Sequence, residues 1–106
     1  MKKILFCLSA MTYAVIVNGQ LKIDNAVFFI SSGATVTVQG DVTSNVDIQG
    51  PGLLQLKGST LQNVDMGGFT IPNLEIDNTS NVNLTANAMI GTSIAFTNGK
   101  LIFEFI

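Results

Sequence analysis

From residue 20 onward, apolar and polar positions alternate in short runs instead of recurring at helical spacing. The segment from Ala34 to Val38 alternates through Thr35, Val36 and Thr37. The same two-residue pattern returns at Val46-Asp47-Ile48, Leu54-Gln55-Leu56, Leu74-Glu75-Ile76, Val82-Asn83-Leu84 and Ile94-Ala95-Phe96. Turn formers punctuate these runs at Ser31-Ser32-Gly33, Gly50-Pro51-Gly52, Gly67-Gly68 and Asn98-Gly99. The pattern predicts an all-β chain of very short strands.

Repetition then narrows the architecture. Asn45-Val46-Asp47-Ile48 recurs as Asn63-Val64-Asp65-Met66 and again, at the same interval, as Asn81-Val82-Asn83-Leu84. Reading every sixth residue from Ile30 to Ile102 gives an apolar column interrupted only at Thr60, Pro72 and Asn78. The interval between the Asn-Val motifs is three such steps, so a coil of three six-residue sides explains both periods. Each side is a short strand and a corner, and each coil lies on the previous one at about 4.8 Å. The predicted fold is a parallel β-solenoid, or β-helix, of about four short coils preceded by a signal-peptide helix. Equivalent side chains would stack, with Val46, Val64 and Val82 in one inward ladder and Ile48, Met66 and Leu84 in another. Asn45, Asn63 and Asn81 would form a polar ladder at one corner, where amides bond along the stack and tolerate turn geometry. The pairs Leu54/Leu56, Leu74/Ile76 and Ile94/Phe96 recur at a slightly longer interval. Corners therefore vary in length, or the coil is larger than the motif repeat. A strict six-residue period would favour a left-handed coil and irregular corners a right-handed one. The alternative architecture is an antiparallel β-sandwich.

The segment before Gln20 reads differently. Met1-Lys2-Lys3 is cationic, Ile4 to Val17 is almost wholly apolar, and Gly19 supplies a small residue just ahead of Gln20. This is the layout of a secretory signal peptide, and the apolar run falls short of the roughly 20 residues that span a bilayer. The division expected is a signal peptide over 1–19 and a solenoid segment over 20–106. Cleavage near Gly19 would give a secreted or cell-surface product that meets the membrane only during export. Cys7 leaves with the signal, so the remainder has no disulfide to hold it.

Composition removes whole classes of chemistry. Among 106 residues there is no His and no Trp, charged residues make up 11%, and the net charge is −2. The chain therefore has no imidazole for acid–base work near neutral pH. It also has no basic excess to track a phosphate backbone, which argues against nucleic-acid partners. Asp47 and Asp65 share a frame in the Asn-Val repeat. As outward neighbours they could contact a ligand or a Ca²⁺ ion, but solvated surface carboxylates are the simpler reading. Asn78-Thr79-Ser80 and Asn83-Leu84-Thr85 match the N-glycosylation pattern. No catalytic residue, cofactor or resident metal is implied.

The stretches Ile71 to Leu84 and Ile90 to Ile102, with Gly33 to Gly40 and Gly52 to Gly58, are similar to repeats of large secreted, adhesin-like surface proteins of Bacteroidota-type bacteria. The likeness lies in a Leu-x-Ile-x-Asn, Val-x-Leu and Gly-Lys-Leu cadence, here Leu74 to Asn78, Val82 to Leu84 and Gly99 to Leu101. That resemblance implies a β-helical stalk-like or adhesin-like segment, often carried by type IX secretion substrates, in a chain that continues beyond this one. The function expected is non-enzymatic: an exported segment serving as stalk, spacer or adhesive surface. The alternative is a carbohydrate-binding or carbohydrate-cleaving module. Expected partners are surface glycans, further repeats of a longer chain, or a strand pairing through Leu101 to Ile106.

Overall fold

The structure is a computed structural model that describes residues 6–7, 14–17 and 19–103. Thirteen strands follow one another: β1 (Phe6–Cys7), β2 (Ala14–Val17), β3 (Leu21–Ile23), β4 (Phe28–Phe29), β5 (Thr35–Val38), β6 (Val42–Ser44), β7 (Ile48–Gln49), β8 (Leu53–Gly58), β9 (Gln62–Asp65), β10 (Thr70–Asn78), β11 (Val82–Leu84), β12 (Met89–Asn98) and β13 (Leu101–Phe103). They fall into three sheets. Sheet A runs β1-β4-β7, sheet B runs β12-β10-β8-β5-β2, and sheet C runs β13-β11-β9-β6-β3. Every pairing is parallel. Five strands in each long sheet bound about four turns of a β-solenoid, and the antiparallel sandwich is excluded.

Strand register defines the core. On sheet B, Val36, Leu54, Leu74 and Ile94 form one inward column, and Val38, Leu56, Ile76 and Phe96 form the next. On sheet C, Leu21, Val42, Val64, Leu84 and Phe103 stack in turn. Phe28 stacks on Ile48 in sheet A. Leu54, Leu56 and Ile76 are fully shielded from solvent, and burying a side chain of this size is worth about 1.5–3 kcal/mol. Alternation places the polar residues between them outside.

The stacking is as expected, but its register is not that of the Asn-Val repeat. Val64 lies between Val42 and Leu84, while Val82 pairs with Gln62. Val46 lies off the strands and is only partly buried. Ile48 stacks on Phe28, not Met66, although Met66 is itself fully buried. The step between layers also varies. It is shortest from Val36 in β5 to Leu54 in β8, longer from Leu54 to Leu74 in β10, and longer again from Val42 in β6 to Val64 in β9. Two register shifts in the β10–β12 ladder, after Ile71 and after Ile76, absorb extra residues. Corners and bulges set coil length here, so identical short motifs come to rest at different points of successive coils.

Within residues 1–19, both described segments, Phe6–Cys7 and Ala14–Val17, are strands and not helix. β1 and β2 pair with β4 and β5 and supply part of the first layer. Most of the remaining expected signal peptide lies outside the described residues, as do residues 104–106 of the expected pairing segment.

Candidate functional site

The outer face of sheet B carries an array of bonded polar groups. Thr37, Gln55, Glu75 and Ala95 form one outward column. Lys57, Asp77 and Asn98 form another. Bonds between layers lock these side chains. The Thr37 hydroxyl donates to Gln55 Oε1 at 2.7 Å, and Ser93 Oγ donates to Asn73 Oδ1 at 2.8 Å. Thr97 Oγ1 donates to Glu75 Oε2 at 2.7 Å, and Asn98 Nδ2 donates to Asp77 Oδ1 at 2.8 Å. Lys57 Nζ lies 3.8 Å from Asp77 Oδ2 with its side chain largely in solvent, a pair worth at most about 1 kcal/mol. The result is an array of hydroxyl, amide and carboxylate groups joined by bonds between layers.

The polar residues singled out from the repeat do not converge there. Asn45 and Asn63 belong to different columns. Asn45 donates from Nδ2 to Asp24 Oδ1 and accepts from the Asn25 backbone N–H, both at 2.9 Å. Asn63 stacks with Asn83 instead, accepting from its Nδ2 at 3.3 Å. Asn81 sits at a corner with φ of 80°, and its Oδ1 accepts from the Lys100 N–H. The expected Asn45, Asn63 and Asn81 ladder is therefore replaced by three local roles.

Asp47 and Asp65 are likewise not a vertical pair. Asp65 is the register partner of Thr43, and its Oδ1 accepts from Gly67 N–H at 3.0 Å in a local turn. Asp47 Oδ1 accepts from Thr70 N–H at 2.8 Å and so closes a corner onto the next layer. A shallow recess of about 230 Å³ brings Asp65 together with Asn45, Asp24 and Lys22, but not Asp47. Among the described residues, no group of three or more His, Cys, Asp or Glu side chains is placed to hold a metal ion.

The amide stack sought at the Asn-Val repeats occurs inside the fold, at the corner between sheets B and C. Gln62 is buried and donates from Nε2 to the carbonyls of Val38 at 3.0 Å and Gly40 at 2.7 Å. Asn78, also fully buried, donates from Nδ2 to Thr60 O at 2.7 Å and to Gln62 Oε1 at 2.9 Å. Its Oδ1 accepts from Ser80 N–H at 2.7 Å. Three successive layers are thus tied by two amides. This burial also withdraws Asn78 from the glycosylation its sequence pattern suggests. One signal was visible: Asn78 interrupts the apolar six-residue column, as a buried amide with an assigned task would.

A second feature is apolar. Beneath the last layer lies a cavity of about 320 Å³ lined by residues including Leu56, Ile71, Leu74, Ile94 and Phe96. It lies where the inward columns of the described residues end. Comparison of the chain with protein-family models, characterised proteins and solved structures finds no match.

Proposed function

We propose that the chain is a non-enzymatic, exported spacer or stalk segment whose sheet B outer face serves as an adhesive surface. The observation that carries this reading is the layer-to-layer bonding of Asn73 with Ser93, Glu75 with Thr97 and Asp77 with Asn98. Preordered polar groups repeating at about 4.8 Å suit a long polymer such as a surface glycan, because little side-chain entropy remains to be lost on binding. The cationic and apolar start of the sequence and its likeness to repeats of secreted surface proteins support export to the cell surface.

Retention of the chain on a panel of neutral and acidic polysaccharides tests the adhesive part. Replacing Gln55, Lys57 and Glu75 together by Ala is expected to weaken retention at least about tenfold, equivalent to about 1.4 kcal/mol, with unchanged circular dichroism. Absence of retention on every polymer, or equal retention by the triple variant, would sink it. Export is tested by N-terminal sequencing of the secreted product, which should begin at Gln20.

A further inference from the structure

The bond that the sequence marks for processing lies at a corner of the fold. β2 ends at Val17 on sheet B and β3 begins at Leu21 on sheet C, so the Gly19–Gln20 peptide carries the chain from one sheet to the other. It stacks on the next such corner, Gln39-Gly40-Asp41, which joins β5 to β6. Two features pin it there. Leu21 N–H donates to Asp41 O at 2.7 Å. Gly40 offers no side chain, and the Gly19–Gln20 peptide lies directly against its Cα. A Cβ on Gly40 would come to 2.5 Å from the Gly19 carbonyl carbon and oxygen and 2.8 Å from Gln20 N. Any larger residue would push one of the two backbones away.

Both flanks of the bond are held as well. On the amino-terminal side the register runs from Ala14 on Thr35 to Val17 on Val38. On the other side it runs from Leu21 on Val42 to Ile23 on Ser44, and Leu21 and Ile23 are buried. Gly19 and Gln20 themselves are exposed. Exposed loop tips are ordinarily where chains are nicked, but here the neighbours of the bond are committed to two different sheets. An endopeptidase takes the residues around a scissile bond as an extended strand added in its cleft. A chain bent through a corner and paired on both sides cannot be laid out in that way. Release of β2 from β5 frees the amino-terminal side of the bond while Leu21 and Ile23 stay in the core.

We propose that docking of β2 on β5 is a latch on processing: once the intact chain has folded, the Gly19–Gln20 bond is closed to endopeptidases. Cleavage then has to precede closure of the first layer, and a chain that folds early keeps residues 1–19. The latch acts through the backbone. It needs the absence of a side chain at Gly40, the Leu21 to Asp41 hydrogen bond and the β2–β5 ladder, and no reactive group takes part. The inference rests on the export reading, which makes Gly19–Gln20 the processing bond. The two fail separately. A secreted product that begins elsewhere than Gln20 removes the processing bond, whereas the protection of Gly19–Gln20 in the folded chain is measured with a protease that has no part in export.

Brief subtilisin digestion of the folded 106-residue chain, read by mass spectrometry for cuts between Val17 and Leu21, measures the latch. Cutting there should be at least about tenfold slower than in a free peptide of residues 14–25, because it proceeds only through the opened state. Gly40→Ala leaves the sequence around the bond unchanged and drives a Cβ into the Gly19 carbonyl. It should speed cutting at least about tenfold with the circular dichroism of the sheets retained. Val15→Pro, which takes an N–H from the strand that pairs with β5, should act in the same direction, and it decides the matter where Gly40→Ala loses its circular dichroism. Cuts at the corner from Ser59 to Leu61, equally exposed and also between sheets B and C, should keep the parent rate in both variants. A folded parent cut as fast as the peptide overturns the proposal. So do folded variants cut no faster than the parent, or cut faster by the same factor at Ser59 to Leu61, which would be general loosening and not release of a latch.

Discussion

At the scale of single residues, the fold depends on a few positions where a side chain or its absence is dictated by the layer beneath. Gly99 joins β12 to β13 with φ of +84°, and a Cβ there would strike the Asn78 carbonyl oxygen. Gly99→Ala therefore meets both a disfavoured backbone region and a backbone collision. It should cost about 2 kcal/mol in urea denaturation; a change of a few tenths would show that the corner can relax. Asn78 is the polar counterpart. Asn78→Ala removes a donor from Thr60 O and Gln62 Oε1 and an acceptor from Ser80 N–H. Leaving Gln62 Oε1 buried and unpaired should lower stability by about 1–3 kcal/mol, measured by the same denaturation. Asn45 has comparable bonds at an exposed corner, so Asn45→Ala should cost less than Asn78→Ala. These contrasts were only partly legible in the sequence. The six-residue period is interrupted at Asn78, but nothing marks Gln62, because its task depends on which carbonyls the corner brings over it.

At the scale of elements, alternation along each run was enough to place inside and outside. Ile30, Val36, Val42, Ile48 and Leu54, taken from the six-residue column, are all buried. The column is clean there because the β5–β8 step, from Val36 to Leu54, is a whole number of six-residue sides. It fails from Thr60 onward because the β6–β9 and β8–β10 steps are longer and β12 carries two bulges, and corners and bulges depend on how strands fit, not on either sequence alone. That is why the inward ladders were recognisable as a class while their members were not. The same register exposes a defect on the outside of sheet C. Asn63 and Asn83 stack, but the next residue up is Ile102, and Asn83 Oδ1 is buried with no hydrogen-bond partner. Ile102→Asn should extend the amide ladder and remove an exposed apolar side chain. The expected gain is about 0.5–1 kcal/mol, read as a rise in melting temperature; a fall would mean that lost β propensity outweighs the new bond. Within the core, Leu56→Ala should cost about 2–5 kcal/mol, since Leu56 is held between Val38 and Ile76.

At the scale of the whole molecule, each layer touches only the layers beside it, so stability should be distributed as a sum of layer terms and junctions. Processing near Gly19 would bear on this directly, because it removes β1 and β2, the neighbours of β4 and β5 in the first layer. The ladder geometry specifies what would be lost. Leu53 N–H donates to Ala34 O, so the backbone groups of Ala34, Val36 and Val38 face β8, while those of Thr35 and Thr37 face β2. In a chain of residues 20–106, the Thr35 and Thr37 amides should lose hydrogen-exchange protection by at least about tenfold relative to the 106-residue chain. Val36 and Val38 should change far less, and Leu54 and Leu56, one layer further in, should not change. This alternation separates the loss of one strand from general loosening. Equal loss at Val36 and Thr37 would mean that β5 detaches as a unit. Equal loss at Leu56 as well would mean that the solenoid opens as one cooperative body, and the sum of independent layers would no longer describe it.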